Sequence, residues 1–259
     1  MALLDGLIAQ LEVVHALILR ETRTRFGKSQ LGYLWAFLEP LLWILTFHIM
    51  FTVTGRQPPY GMDMWSFIAT GMGPYQLFRE AMNRTSNAID GNKALLYYPQ
   101  IRPLDLVIAR ASLEGVTGLS VLLVLLGANA LVTQHVEVQD PLAVLGAMTM
   151  SMLLGSGMGL TVGCIAQYNS SVARFVPALF RPMLWISGVF FTAHSLPSQI
   201  RSLMLWNPVL HILEFTRAGY FTSYEATHAS ASYVGIWVLA TLATGLFMER
   251  TIRRRLEVT

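Results

Sequence analysis

The stretch Arg23–Phe51, RTRFGKSQLGYLWAFLEPLLWILTFHIMF, opens with Arg23, Arg25 and Lys28 and then turns almost wholly apolar. From Leu31 to Val53 its only carboxylate is Glu39. At ~1.5 Å per residue a helix of that length reaches ~34 Å, enough to cross a hydrocarbon core of ~30 Å. The stretch reads as a chain passing from the inner headgroup layer, where the cations sit, into a spanning helix.

Gly27-Lys28-Ser29 within it matches the end of a phosphate-binding loop, G-x-x-x-x-G-K-[ST]. The rest of the loop is missing. Position 22 should be glycine and is Thr22, and no strand pattern precedes it. The context is wrong for nucleotide binding, and the chain does not read as an ATPase.

Composition agrees with a membrane protein. Of 259 residues 54% are hydrophobic and only 13% charged, against roughly 25% charged in soluble domains. Mean hydropathy is +0.50. So little charge cannot cover a water-soluble body of this size. The net charge of +3 reflects Lys and Arg on the cytoplasmic side rather than nucleic-acid binding. The single cysteine, Cys164, excludes an internal disulfide. Residues 1–30 lack the basic start, compact apolar core and cleavage site of a secretory signal.

Outward from the opening stretch, the reading is an all-α integral membrane protein forming one transmembrane domain, 1–259. Residues 1–30 carry Leu4, Leu7, Ile8, Leu11, His15 and Ile18 at helical spacing, an amphipathic helix for the membrane interface or for a protein partner. Six spans follow, at 31–54, 65–87, 104–133, 141–166, 172–192 and 232–249. Pro74 and Arg181-Pro182 interrupt the second and fifth. Between spans five and six, residues 194–231 hold apolar pieces too short to cross. They could dip into the membrane from one side or lie flat on it. The excess of Lys and Arg puts both termini in the cytoplasm.

Ionisable groups within spans are functional candidates. Glu39 before Pro40 and Arg181 before Pro182 are two, either as an interhelical ion pair or as part of a pathway. Aromatic residues crowd the first and fifth spans: Tyr33, Trp35, Phe37 and Trp43, then Trp185, Phe190 and Phe191. They read as interfacial belt and core, or as a lining on which sugar rings slide. Ser151, Gly155, Gly159 and Gly163 stand four apart, a smooth face for close helix packing. The six histidines show no metal-binding spacing. Residues 88–98 form a short cytoplasmic helix candidate. Ile89, Lys93, Leu95, Leu96, Tyr97 and Tyr98 offer a docking surface there. Arg56, Arg201 and Arg217 are the cations assigned outside. With Trp206 they suit an exit that attracts a polyanion, or a patch that binds lipid phosphates.

The block Arg23–Phe51 resembles the membrane-crossing signature of ABC-2 type transporter permeases, and most of all the subunit for capsular polysaccharide export. YYPQIRPLD (Tyr97–Asp105) and WNPVLHILEFTRAGYF (Trp206–Phe221) extend the resemblance along most of the chain. It implies a homodimer in a bacterial inner membrane, paired with two copies of a separate ABC ATPase that binds ATP and Mg. This chain itself would bind no cofactor. It also implies a lipid-linked polysaccharide as cargo, a periplasm-spanning co-polymerase and an outer-membrane channel as partners, and re-entrant helices at 194–231. Permeases of the same build for O-antigen or drugs are not separated by these motifs. An integral-membrane enzyme would need a convergent acid–base pair, and an ion-coupled carrier an internal repeat that the halves do not display.

Overall fold

The computed structural model describes residues 2–26, 31–134, 137–169 and 171–256. Gly27-Lys28-Ser29 and the side chain of Tyr33 lie outside what is described. Ten α-helices are present among the described residues: α1 (Ala2–Phe26), α2 (Leu31–Val53), α3 (Met64–Ser86), α4 (Pro103–Thr133), α5 (Pro141–Ala166), α6 (Val172–Leu179), α7 (Met183–Ile186), α8 (Ser198–Met204), α9 (Pro208–Tyr220) and α10 (Ala231–Leu256). Short 3₁₀ turns lie at Pro59–Gly61, Asp90–Tyr97 and Ala193–Ser195.

Local chemistry marks the helix starts. Asp63 caps α3 by accepting from the Ser66 amide at 2.9 Å. Asp140 caps α5 by accepting from the amides of Leu142 and Ala143, with Pro141 in the first turn. Pro103 opens α4, and the Asp105 carboxylate accepts from the Arg102 amide at 2.9 Å. In each case the cap satisfies amides that the first helical turn leaves open.

Among the described residues four helices are both long and apolar enough to cross a membrane: residues Leu34–Val53 of α2, α4, α5 and residues Ala231–Ile252 of α10. α3 matches them in length but ends in Arg79, Glu80 and Arg84. It runs unbroken through Pro74 as the central helix, buried along most of its length against α4, α5 and α9.

The fifth expected span, 172–192, is not one helix. α6 stops at Leu179 and α7 is a single turn. At the start of α7, Met183, Leu184 and Trp185 bond three residues back, to Phe180, Arg181 and Pro182, rather than four. Pro182 has no amide to donate, and Gly188 at φ +82° then turns the chain.

The ladder on α5 faces α3. Ser151 donates its hydroxyl to the Pro74 carbonyl. A methyl group on Gly155 would meet the Phe78 carbonyl, one on Gly159 the Met82 carbonyl and Thr85, and one on Gly163 would lie 2.7 Å from the Ser86 carbonyl. The opposite side of α5 meets α10, where Gly157 abuts Thr241. Helices in lipid gain little from apolar burial, so such close backbone approach supplies much of the cohesion.

α1 packs along α4 and the 88–97 segment. Leu17 is buried with Ile89, Leu106, Val107 and Ile252. Gln10 donates to Asp105 at 2.8 Å, Arg20 to Asn92 at 2.9 Å and Arg110 to Glu21 at 2.8 Å. Ile8, Leu11 and Leu19 stay exposed on the other side.

Substituting Gly159→Val drives a branched side chain into backbone. The expected cost is ~1–3 kcal/mol or more, seen as a lower unfolding midpoint of the detergent-purified protein. Gly146→Ala, which meets nothing within 4 Å, should leave the midpoint where it is.

Candidate functional site

The broken span and the helix behind it form one unit. α9 is 13 residues long, ~20 Å at 1.5 Å per residue, too short to cross. Val209, Leu210, Ile212 and Leu213 are nonetheless fully buried, against α3 and α5. From α9, Arg217 projects into the protein with 0% exposure. Its guanidinium donates to the carbonyls of Val189 and Phe191, each at 2.8 Å. It lies 4.2 Å from the Phe67 ring centre and 3.8 Å from the Glu214 carboxylate. Glu214 in turn accepts from the Ala193 amide at 3.2 Å and from the Tyr224 hydroxyl. From the loop after α2, Arg56 donates to the Phe190 carbonyl at 2.8 Å and stacks on Phe51.

Of the residues expected at an exit, Arg217 is fully buried, with its two terminal nitrogens bonded to backbone carbonyls and its Nε buried without a hydrogen-bond partner. Arg56 is likewise engaged. Arg201 is half-buried, 3.1 Å from His228, and Trp206 is exposed. The sequence reading missed Glu214 and Tyr224. The available signal was a Glu and an Arg three apart in an otherwise apolar helix, a pairing that membrane burial makes informative.

The same backbone carries the aromatic cluster. Phe190 lies 4.3 Å from Phe47 and 5.1 Å from Trp185, ring centre to ring centre, and Trp43 stacks on Phe47 at 5.8 Å. Phe47, Phe51 and Phe190 are buried, while Trp43 and Trp185 are exposed. A buried aromatic base thus presents two indoles outward, joining α2 to the broken span. Phe37 packs into the core, and Phe191 is half-buried. Arg181 is exposed.

Trp35 and Glu39 belong elsewhere, on a pocket between α2, α3 and α4. Glu39 pairs there with Arg79 at 3.8 Å. The structure therefore divides the expected pathway residues along the length of α2, with Trp35 and Glu39 toward its N-terminal end and Trp43 toward its C-terminal end.

In the expected docking segment, Asp90–Tyr97 is a 3₁₀ turn with a break at Asn92 rather than a regular helix. Ile89 is buried, and Leu95 and Leu96 pack against the cluster under α1. Tyr97 at 88% exposure and Tyr98 at 63% project outward. Lys93 is held to Asp90 at 2.8 Å, and Gln167 donates to the same carboxylate at 3.0 Å. Burial pushes the Asp90 carboxyl up, but these partners outweigh it and hold it below its usual range. Among the described residues no group of three or more His, Cys, Asp or Glu could hold a metal ion.

Residues 12–221 match the family model described as ABC-2 type transporter. The chain is 32% identical to the polysialic acid transport protein KpsM of Escherichia coli, over 95% of this chain and 96% of that one. It is 32% identical to the capsule polysaccharide export inner-membrane protein BexB of Haemophilus influenzae, over 98% and 96%. The O-antigen export system permease protein RfbA of Myxococcus xanthus is 31% identical over 82% of this chain and 78% of that one.

Removing one partner of a buried ion pair costs ~3–5 kcal/mol. Arg217→Met should therefore sharply lower the unfolding midpoint. Arg217→Lys, with fewer donors and no planar fork, should restore only part of it. Tyr224→Phe should cost less than either, and thermal unfolding in detergent orders the three.

Proposed function

This chain belongs to the ABC-2 type transporter family, and we propose that it is the membrane permease subunit of an ATP-driven exporter of capsular polysaccharide. The observation that carries the proposal is identity of 32% along nearly the whole length of proteins named for polysialic acid transport and capsule export. The chain is a transport permease, not an enzyme, and works with a separate ATPase subunit.

The finer mechanism is as follows. Two copies of the chain pair in the inner membrane, with six membrane-crossing passes each and both termini in the cytoplasm. The exposed apolar side chains of α2, among them Leu42, Ile49 and Met50, support giving that face to lipid and to the second copy. Two ATPase copies bind below. Tyr97, Tyr98 and Lys93 contact them, and Ile89, Leu95 and Leu96 transmit the movement to α1 through their shared cluster. α1 lies along the inner headgroups with Ile8 and Leu11 toward lipid. α8 and α9 are re-entrant helices on the outer side.

The cargo is a lipid-linked acidic polysaccharide that passes between the copies. Trp43 and Trp185 offer flat apolar faces to the C–H faces of sugars. Such contact demands no fixed hydrogen-bond register, which suits a polymer that must slide. Tyr33, Trp35, Phe37, Glu39 and Arg181 flank that route on the inner side, and Phe190 and Phe191 support it from the broken span. Arg201 and Trp206 stand at the exit. A periplasm-spanning co-polymerase and an outer-membrane channel receive the polymer. The likeness to the O-antigen permease supports a second reading, the same subunit with O-antigen as cargo.

Co-expression with its ATPase, followed by reconstitution, tests this. ATP hydrolysis should rise when lipid-linked capsular polymer is added. Trp43→Ala with Trp185→Ala should keep the ATPase bound but abolish export. Tyr97→Ala with Tyr98→Ala should weaken co-purification by about tenfold, a loss of ~1.4 kcal/mol. Hydrolysis that responds to O-antigen alone would favour the second reading. A chain that binds no ATPase would remove both.

A further inference from the structure

The pocket beside α2 has a volume of about 380 Å³, within the ~300–1,000 Å³ of small-molecule sites. Its lining is ordered. Glu39, Arg79, Glu80, Arg84 and Glu114 stand at one end, and Ile44, Leu77, Val121 and Leu125 continue toward the other. The order follows from helix direction. α4 climbs from Glu114 to Leu125, about 16 Å at 1.5 Å per residue. α2 climbs in the same sense from Glu39 to Ile44, and α3 descends to Arg84. Gly73, Thr117 and Gly118 complete the lining. The result is a slot with a charged end and an apolar end, running along helices that cross the membrane.

The charged end holds both signs, and its ion pairs are loose. Arg79 meets Glu80 at 3.1 Å, but Arg79–Glu39, Arg84–Glu114 and Arg84–Glu80 stand at 3.8, 3.6 and 3.9 Å. Close charge-assisted hydrogen bonds lie at ~2.7–2.9 Å. The Arg79 Nε is buried without a partner. Two guanidiniums and the carboxylates of Glu39 and Glu80 therefore face one space, held by mostly long ion pairs. An anionic head alone would meet the carboxylates. A cationic head alone would leave the guanidiniums idle. A head carrying both charges satisfies both sets.

We propose that this pocket holds a phospholipid whose headgroup joins a phosphate to a primary ammonium. The phosphate oxygens accept from Arg79 and Arg84. The ammonium donates to Glu39 and Glu80, which requires N–H groups that a quaternary ammonium lacks. An acyl chain follows Leu77, Val121 and Leu125. The site requires only that these helices cross a membrane, and it stands whatever the exported cargo proves to be. A lipid bound there wedges α2 against the rest of the bundle and so sets its tilt.

The full chain, purified in detergent and stripped of lipid, provides the test. Short-chain phosphatidylethanolamine, phosphatidylglycerol and phosphatidylcholine are added in turn, and binding is read by native mass spectrometry and by the unfolding midpoint. Phosphatidylethanolamine should bind about tenfold more tightly than the other two, as expected when charge-assisted hydrogen bonds are gained. Glu80→Gln should erase that preference, and Thr117→Trp, which fills the slot, should erase binding. If Glu80→Gln does not fold, Glu39→Gln carries the same test. Equal affinity for the three lipids, or unchanged binding to Thr117→Trp, overturns the proposal. Soluble phosphoethanolamine binding as tightly as the lipid overturns its acyl half, leaving a site for a free aminophosphate.

Discussion

Three consecutive carbonyls, of Val189, Phe190 and Phe191, lie inside the bundle without a helix to bond them, and two arginines supply the donors. An unpaired backbone group in an apolar interior costs several kcal/mol, so non-helical chain at membrane depth survives only where protein satisfies it. Arg217 takes the outer two carbonyls and Arg56 the middle one. Glu214 keeps the buried guanidinium from standing as a lone charge and also anchors the Ala193 amide. Removing this clamp leaves the segment after α7 no reason to end where it does. The position of Phe190, and hence of the aromatic cluster on α2, depends on it.

The clamp needs a rigid support, and the α3–α5 contact provides it. Gly71 of α3 lies so close to the clamp that an added methyl group would meet both Arg217 and the Val189 carbonyl at 2.8 Å. Farther along the same helix, Phe78, Met82 and Ser86 present their carbonyls to the glycine ladder of α5. α3 therefore packs by backbone proximity on two sides. The least apolar of the long helices is thus the most buried: its neighbours reach it through small residues and hydrogen bonds as well as through Phe67, Ile68, Leu77, Phe78 and Met82 in the core.

Much of this was legible in the sequence, and the limits have physical causes. Long apolar runs revealed α2, α4, α5 and α10, since length and hydropathy are direct consequences of crossing a bilayer. The four-residue spacing of Ser151, Gly155, Gly159 and Gly163 located the α5 face that α3 meets. The chain 172–192 was apolar enough to read as one unbroken helix. Composition does not register the amide that Pro182 lacks or the positive φ of Gly188. Arg217 was misjudged for a related reason. A cation beyond a span looks external by charge counting, but α9 folds back into the bundle, and no local pattern announces that return. The aromatic residues were found but not divided, because only the structure separates Trp35 and Glu39 from Trp43 and Trp185.

That division gives α2 two distinct contacts along its length. Toward its C-terminal end it rests on Phe190 through Phe47, next to the carbonyls held by the arginine clamp. Toward its N-terminal end it meets α3 across a pocket whose ion pairs are mostly longer than hydrogen bonds. The first contact is tight and aromatic; the second is open and electrostatic. The first contact, between packed rings, fixes geometry more closely than the second, a carboxylate and a guanidinium 3.8 Å apart. α2 is therefore tied to the segment after α7 at Phe47 more tightly than to α3 at Glu39.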